Sequence, residues 1–182
     1  MGDERLREEK ISGKRIFEGR ILDLDVDWVR LPSGTETTRE VVRHLGAVVV
    51  LPVCPDGRVG LVRQYRYPMA EVLLELPAGK LDPGEEPRDC AARELAEEIG
   101  WRPGRIHDLG WFFTTPGFTD EVLHAFVATD LEPAPDIEPD PDEAIEVVTM
   151  SVDELLSACR DGHIHDGKTI AVILMARLHG WI

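Results

Sequence analysis

The chain is poor in cysteine and in positive charge, and it lacks any long apolar run. Its three cysteines, Cys54, Cys90 and Cys159, are odd in number and have no CxxC spacing. That argues against a disulfide framework or a zinc site and fits a reducing compartment. Nowhere do the roughly 18 uninterrupted apolar residues of a spanning helix occur, and Met1 to Lys10 is charged with no apolar run behind it. The expectation is a soluble cytoplasmic protein with no membrane partner. Lys and Arg number 20 against 35 Asp and Glu, a formal charge of −15. A surface that negative repels phosphate backbones and anionic lipid, which makes nucleic acid a poor partner. From Asp130 to Glu146 there are eight acidic residues and no Lys or Arg.

What is present suffices for one ordinary domain: 182 residues, 43% of them hydrophobic. Leu22, Leu24, Val26 and Trp28 alternate with Asp23, Asp25 and Asp27, the period of a strand with one wet face. Pro32-Ser33-Gly34 turns the chain toward a return strand at 37–44, making 14–44 a hairpin-like unit. Ala47 to Val53 is apolar and β-branched enough to be buried on both faces. Further strands are predicted at 59–65, 72–76, 108–114, 122–128 and 144–150. Helical spacing governs 88–99, with Pro87 at its start and Gly100 at its stop. Ser151 and Glu154 form a capping box for a helix through Arg160, and 169–178 reads as a terminal helix. The fold class is α+β, with a small N-terminal β unit (residues 1–44) ahead of a second domain (45–182).

Chemistry concentrates on the first helix. At about 100° per residue, Glu94, Glu97 and Glu98 share one face, and like charges one turn apart are mildly destabilising. Arg93 can blunt the repulsion from i to i+4. A Pro83-Gly84 turn delivers Glu85 to the helix entrance, and Gly79 lets the main chain approach closely. Hard carboxylate oxygens with a backbone carbonyl nearby suit Mg²⁺ or Mn²⁺, which share phosphate oxygens with a substrate. A solvated acidic face is the bland alternative.

Residues 79–101 run Gly79, five residues, Glu85, seven residues, then Arg93-Glu94-Leu95-Ala96-Glu97-Glu98-Ile99-Gly100-Trp101. Every fixed position of the Nudix box is filled, and the chain resembles the Nudix hydrolases from about Gly19 to Met150. The resemblance implies a mixed sheet sandwiched between helices and cleavage of nucleoside diphosphates linked to a further moiety. It implies Glu94 and Glu98 as principal metal ligands, Glu97 bridging or holding water, and the carbonyl of Ala78 as a backbone ligand. Arg93 and Glu85 then orient the site.

The flanks resemble the ADP-ribose pyrophosphatase subgroup: Pro116 lies fifteen residues beyond Trp101 within Thr115-Pro116-Gly117-Phe118-Thr119-Asp120-Glu121, with Gly19-Arg20-Ile21-Leu22 and Val62-Arg63-Gln64-Tyr65-Arg66 upstream. This implies a homodimer in which the N-terminal unit helps hold adenine through Arg20 and Ile21. Arg66 would touch the diphosphate, and Phe118 or Glu121 the terminal ribose. Glu143 matches a late-loop glutamate that binds metal or activates the attacking water. Pro141 stands where relatives often have an acid, so Asp140 or Asp142 substitutes or one role is missing.

The expected function is metal-dependent hydrolysis of ADP-ribose to AMP and ribose 5-phosphate. Two alternatives stand beside it: a pyrophosphatase for another nucleoside diphosphate sugar such as GDP-mannose, and a non-catalytic nucleotide sensor on the same scaffold.

Overall fold

The computed structural model describes residues 4–136 and 144–182. After a single 3-10 turn, the strands are β1 (Glu9–Glu18), β2 (Asp23–Arg30), β3 (Glu36–Arg43), β4 (Ala47–Pro52), β5 (Val59–Arg66), β6 (Glu71–Glu75), β7 (Ala78–Lys80), β8 (Trp101–Phe113), β9 (Val122–Pro133) and β10 (Ile145–Met150). The helices are α1 (Pro87–Ile99), α2 (Val152–Arg160) and α3 (Gly167–Leu178). Among the described residues no helix is long and apolar enough to cross a membrane.

Two compact units result. One combines residues 1–46 with 113–122; the other combines 47–112 with 123–182. In the first, β1, β2 and β3 form an antiparallel sheet in which β2 is central. The sequence pattern did not single out β1, because all ten of its residues are exposed and none of its apolar positions marks an inner face.

The expectation that the acidic face of β2 is wet is corrected. Asp27 is buried while Trp28 is half exposed. The reason lies in the partner strands. Arg43 of β3 bonds Asp25 and Asp27 at 3.0 Å each, Lys10 of β1 lies 2.7 Å from Asp27, and Arg15 pairs with Asp23 and Asp25. Alternation identifies two faces of a strand, but the neighbours decide which one is covered.

The second unit has a mixed sheet, β7-β4-β9-β8, and an antiparallel one, β10-β5-β6. Strand β4 runs parallel to β9 and antiparallel to β7. Its side chains alternate between two cores. Val48 and Val50 pack with Cys90, Ala91, Leu95 and Ile99 of α1. Val49 and Leu51 pack with Leu155 and Ala158 of α2 and Val172, Ile173 and Ala176 of α3. Each valine, leucine or isoleucine among them contributes roughly 1.5–3 kcal/mol when fully buried. The sheet is thus sandwiched between helices, which explains the unbroken apolar run of β4.

Local signals set the helix ends. Pro87 opens α1, and Gly100 closes it in the left-handed region at φ 70°, where a side chain would be strained. Ser151 and Glu154 bond reciprocally as a capping box on α2.

Candidate active site

Helix α1 and the segment before it build a carboxylate face. Packing of Cys90, Ala91, Leu95 and Ile99 against the sheet fixes the rotation of α1, and that turns Glu94 and Glu98 inward, with only 8% and 7% of each residue exposed. The Ala78 N–H donates to Glu98 Oε2 at 3.0 Å. Strand β7, which holds Ala78 and Gly79 against Val49 and Val48, therefore also braces the helix carboxylate.

Gly79 has a specific purpose. A Cβ there would lie 1.8 Å from the Glu94 carboxylate carbon, so only glycine leaves room for that carboxylate against the main chain.

Arg93 is the local counter-charge. Its Nε and Nη2 donate to the two oxygens of Glu85 at 2.9 Å each, and its Nη1 donates to Glu94 at 2.7 Å and to Glu97 at 3.1 Å. Glu85 also accepts the Asp82 N–H at 3.0 Å, which locks the turn around Pro83-Gly84. The Arg93 hydrogen bond, opposed in part by burial, draws the Glu85 carboxyl down to about 2. The guanidinium pKa is raised in return. Burial pushes the neighbouring Cys90 thiol up to about 12, so it is a packed thiol and not a nucleophile.

Do these residues fit a divalent cation? Two nearly buried carboxylates and a less buried third share a helix face, and a glycine cradle admits the first to the main chain. The donors are hard oxygens of the type Mg²⁺ and Mn²⁺ prefer. The donor chemistry fits. Among the described residues no three acidic, imidazole or thiol side chains already converge into a cage. The Arg93 guanidinium is instead bonded to Glu85, Glu94 and Glu97 at once.

Other expected site residues fall as follows. Arg66 ends β5 and forms a two-point pair with Glu75, at 2.8 Å for both bonds. Arg20 and Ile21 lie exposed between β1 and β2 in the N-terminal unit. In the same unit, Phe118 is half exposed and its carbonyl accepts the Val42 N–H at 2.8 Å, while Glu121 accepts the Thr114 hydroxyl at 2.6 Å. Glu143, with Asp140, Pro141 and Asp142, lies outside the described residues. Sequence reasoning missed Glu75. Its one signal is a lone acid ending the run Val72-Leu73-Leu74.

The opposite face of α1 borders an open depression of about 490 Å³ lined by Arg88, Asp89, Ala92 and residues 103–107. It mixes both signs of charge and lies away from the carboxylates.

A glycine-loop-entered helix of glutamates, laid on a mixed sheet between two helical layers, defines a Nudix-type hydrolase scaffold. The family model described as the NUDIX domain matches residues 42–172. The ADP-ribose pyrophosphatase of Bacillus subtilis (strain 168) is 39% identical over 174 residues, covering 95% of this chain and 94% of that protein. The methanol dehydrogenase activator of Bacillus methanolicus is 40% identical over 178 residues, covering 96% and 95%. A solved structure described as an ADP compounds hydrolase matches with a TM-score of 0.84 over 97% of this chain and 98% of that one; at 20% identity it speaks to the fold alone. The chain belongs to the Nudix family.

Proposed function

We propose that this Nudix pyrophosphohydrolase splits ADP-ribose into AMP and ribose 5-phosphate, using Mg²⁺ or Mn²⁺. The observation that carries the reading is the near-full-length similarity to an ADP-ribose pyrophosphatase in a chain whose box carboxylates are all present, with Glu94, Glu97 and Glu98 carried on α1. Water attacks one phosphorus, its oxygen forming the new P–O bond while the bridging P–O bond breaks. The departing phosphate keeps the bridging oxygen.

Glu94, Glu98, Glu97 and the Ala78 carbonyl would hold the cation, which when bound supplies positive charge to the pyrophosphate and lowers the pKa of the attacking water. The chain's own residues do the rest. Arg93, anchored by Glu85, restrains Glu94 and Glu97 to single orientations. Glu97 steers the attacking water, and Glu143 is the candidate to accept its proton. Arg66 meets the diphosphate. Phe118 or Glu121 meets the terminal ribose, and Arg20 and Ile21 meet the adenine bound by a partner copy. Exposed Ile11, Ile16 and Phe17 on β1 support a homodimer that covers this strand.

The test is AMP release across ADP-ribose, GDP-mannose, UDP-glucose, NADH and dinucleoside polyphosphates, with and without Mg²⁺ or Mn²⁺. ADP-ribose should be the preferred substrate, and turnover should vanish with chelator and return with metal. Preferred turnover of GDP-mannose would transfer the reading to that substrate, and no turnover across the panel would favour a sensor. A monomer at micromolar concentration by light scattering would contradict the dimer.

A further inference from the structure

Strand β6 ends on Glu75, whose side chain is 1% exposed. An isolated carboxylate at that depth costs several kcal/mol, and two cations offset it. Arg66 grips it through Nε to Oε1 and Nη2 to Oε2, both at 2.8 Å. Lys168, in the first turn of α3, bonds Oε2 from the other side. Lys168 also lies 2.9 Å from Asp166, the N-cap of α3, which accepts the Thr169 N–H at 3.0 Å and the Thr169 hydroxyl. The Thr169 Oγ1 accepts the Leu76 N–H at 2.8 Å. The circuit thus returns to the residue beside Glu75, two before Ala78.

This network is lopsided. The two-point grip occupies the Nε and Nη2 edge of Arg66 and leaves Nη1 without a hydrogen-bond partner among the described residues, on a side chain 36% exposed. The Glu75 hydrogen bond, opposed by burial and aided by the charges of Glu75, Glu98 and Asp166, raises the Arg66 pKa. Glu75, which holds this arginine, lies three residues before Ala78, whose N–H donates to the Glu98 carboxylate at 3.0 Å. A guanidinium held on one edge, with its remaining nitrogen left over, is arranged to receive an anion.

We infer that Glu75 is a positioning residue: it fixes Arg66 so that Nη1 faces the substrate pyrophosphate, with Lys168 sharing its charge. The inference rests on the proposed reading of the substrate as a pyrophosphate ester. Lys168 keeps Glu75 from quenching Arg66 entirely, and the circuit through Asp166 and Thr169 ties the start of α3 to the strand that leads into the site.

Binding of inorganic pyrophosphate to the full chain with Mn²⁺, followed by calorimetry, tests this. Glu75→Gln and Arg66→Lys should each raise the dissociation constant about tenfold, and the double variant should be no worse than the poorer single, because both act through one guanidinium. Mn²⁺ affinity without pyrophosphate should not change. A merely structural role would lower the unfolding midpoint yet leave pyrophosphate affinity intact well below it. Wild-type affinity in Glu75→Gln, an additive double variant, or no pyrophosphate binding by the wild type would overturn the inference. Should Glu75→Gln fail to fold, Lys168→Met carries the test, with an expected rise of about threefold and an unchanged value overturning it. Failure of the substrate reading is separate: it would show as no AMP release from ADP-ribose while the pyrophosphate cycle keeps its dependence on Glu75.

Discussion

Two regions of this molecule gather carboxylates, and they neutralise them differently. In the N-terminal sheet, Asp23, Asp25 and Asp27 meet Lys10, Arg15 and Arg43, three cations for three anions. On α1, a single arginine, Arg93, is shared by Glu85, Glu94 and Glu97. The wider segments agree. Between Lys10 and Arg43 there are six acidic residues and seven basic, whereas between Gly79 and Trp101 there are seven acidic and three basic. The lesson is that burial and clustering do not by themselves mark a binding site. A cluster whose counter-charges come from its own neighbours is finished architecture; one left with an excess of a single sign is suited to an exogenous partner of the other sign.

The sharpest break of this comparison is Glu98→Gln. AMP release should fall about a thousandfold or more while circular dichroism and the unfolding midpoint stay near wild type, since the change removes charge and keeps shape. Wild-type turnover would sink the site assignment. Gly79→Ala should come next. The added Cβ collides with the end of a flexible side chain, so the chain folds, but the group that must move is the Glu94 carboxylate. Activity should drop roughly a hundredfold with little loss of stability, because a small displacement of a catalytic group carries a cost of that order.

In the N-terminal sheet the balance should reverse. Arg43 serves Asp25, Asp27 and Asp120, so Arg43→Met should cost about 1–3 kcal/mol in chemical denaturation and leave Mn²⁺ affinity unaltered. Acid should act on the same cluster. Hydrogen bonds from Arg15 and then Arg43 hold the Asp25 carboxyl below its ordinary 3.8. A depressed carboxylate contributes stability that is complete above the unfolded value and lost as pH falls through the folded one. Protection factors of the β2 amides, with the intrinsic pH dependence of exchange divided out, should therefore be steady from pH 7 to about 5 and fall only below roughly pH 4; a fall already at pH 5.5 would contradict the pairing. The smallest effect is expected at Arg30, whose bonds to Glu9 and Glu36 are all exposed. Arg30→Ala should leave the chemical-denaturation midpoint indistinguishable from wild type.

How much of this was legible beforehand depends on the range of the interaction. The ends of α1 and the capping box of α2 were readable because each signal lies within a few residues of its effect. Strand β8 begins at Trp101, not near Asp108, because Arg102-Pro103-Gly104-Arg105 has loop composition and is held in the strand by pairing with β9. Strand β7 is three residues long, too short for any period. The site divides likewise. The box glutamates were named from spacing, whereas Glu75 meets Lys168 across 93 positions and Arg66 across nine, and no local pattern announces either.

The sequence by itself determined the helix, the loop that enters it and the three carboxylates that share its face, because helical period and turn chemistry act within a dozen residues. Only the tertiary structure decided which charges are neutralised: that Asp27 is buried beneath Arg43 and Lys10, that Gly79 exists to admit Glu94, and that Arg66 is held on one edge by Glu75. Ion pairing falls steeply with distance, and residues remote in sequence reach pairing distance only after the sheets have formed.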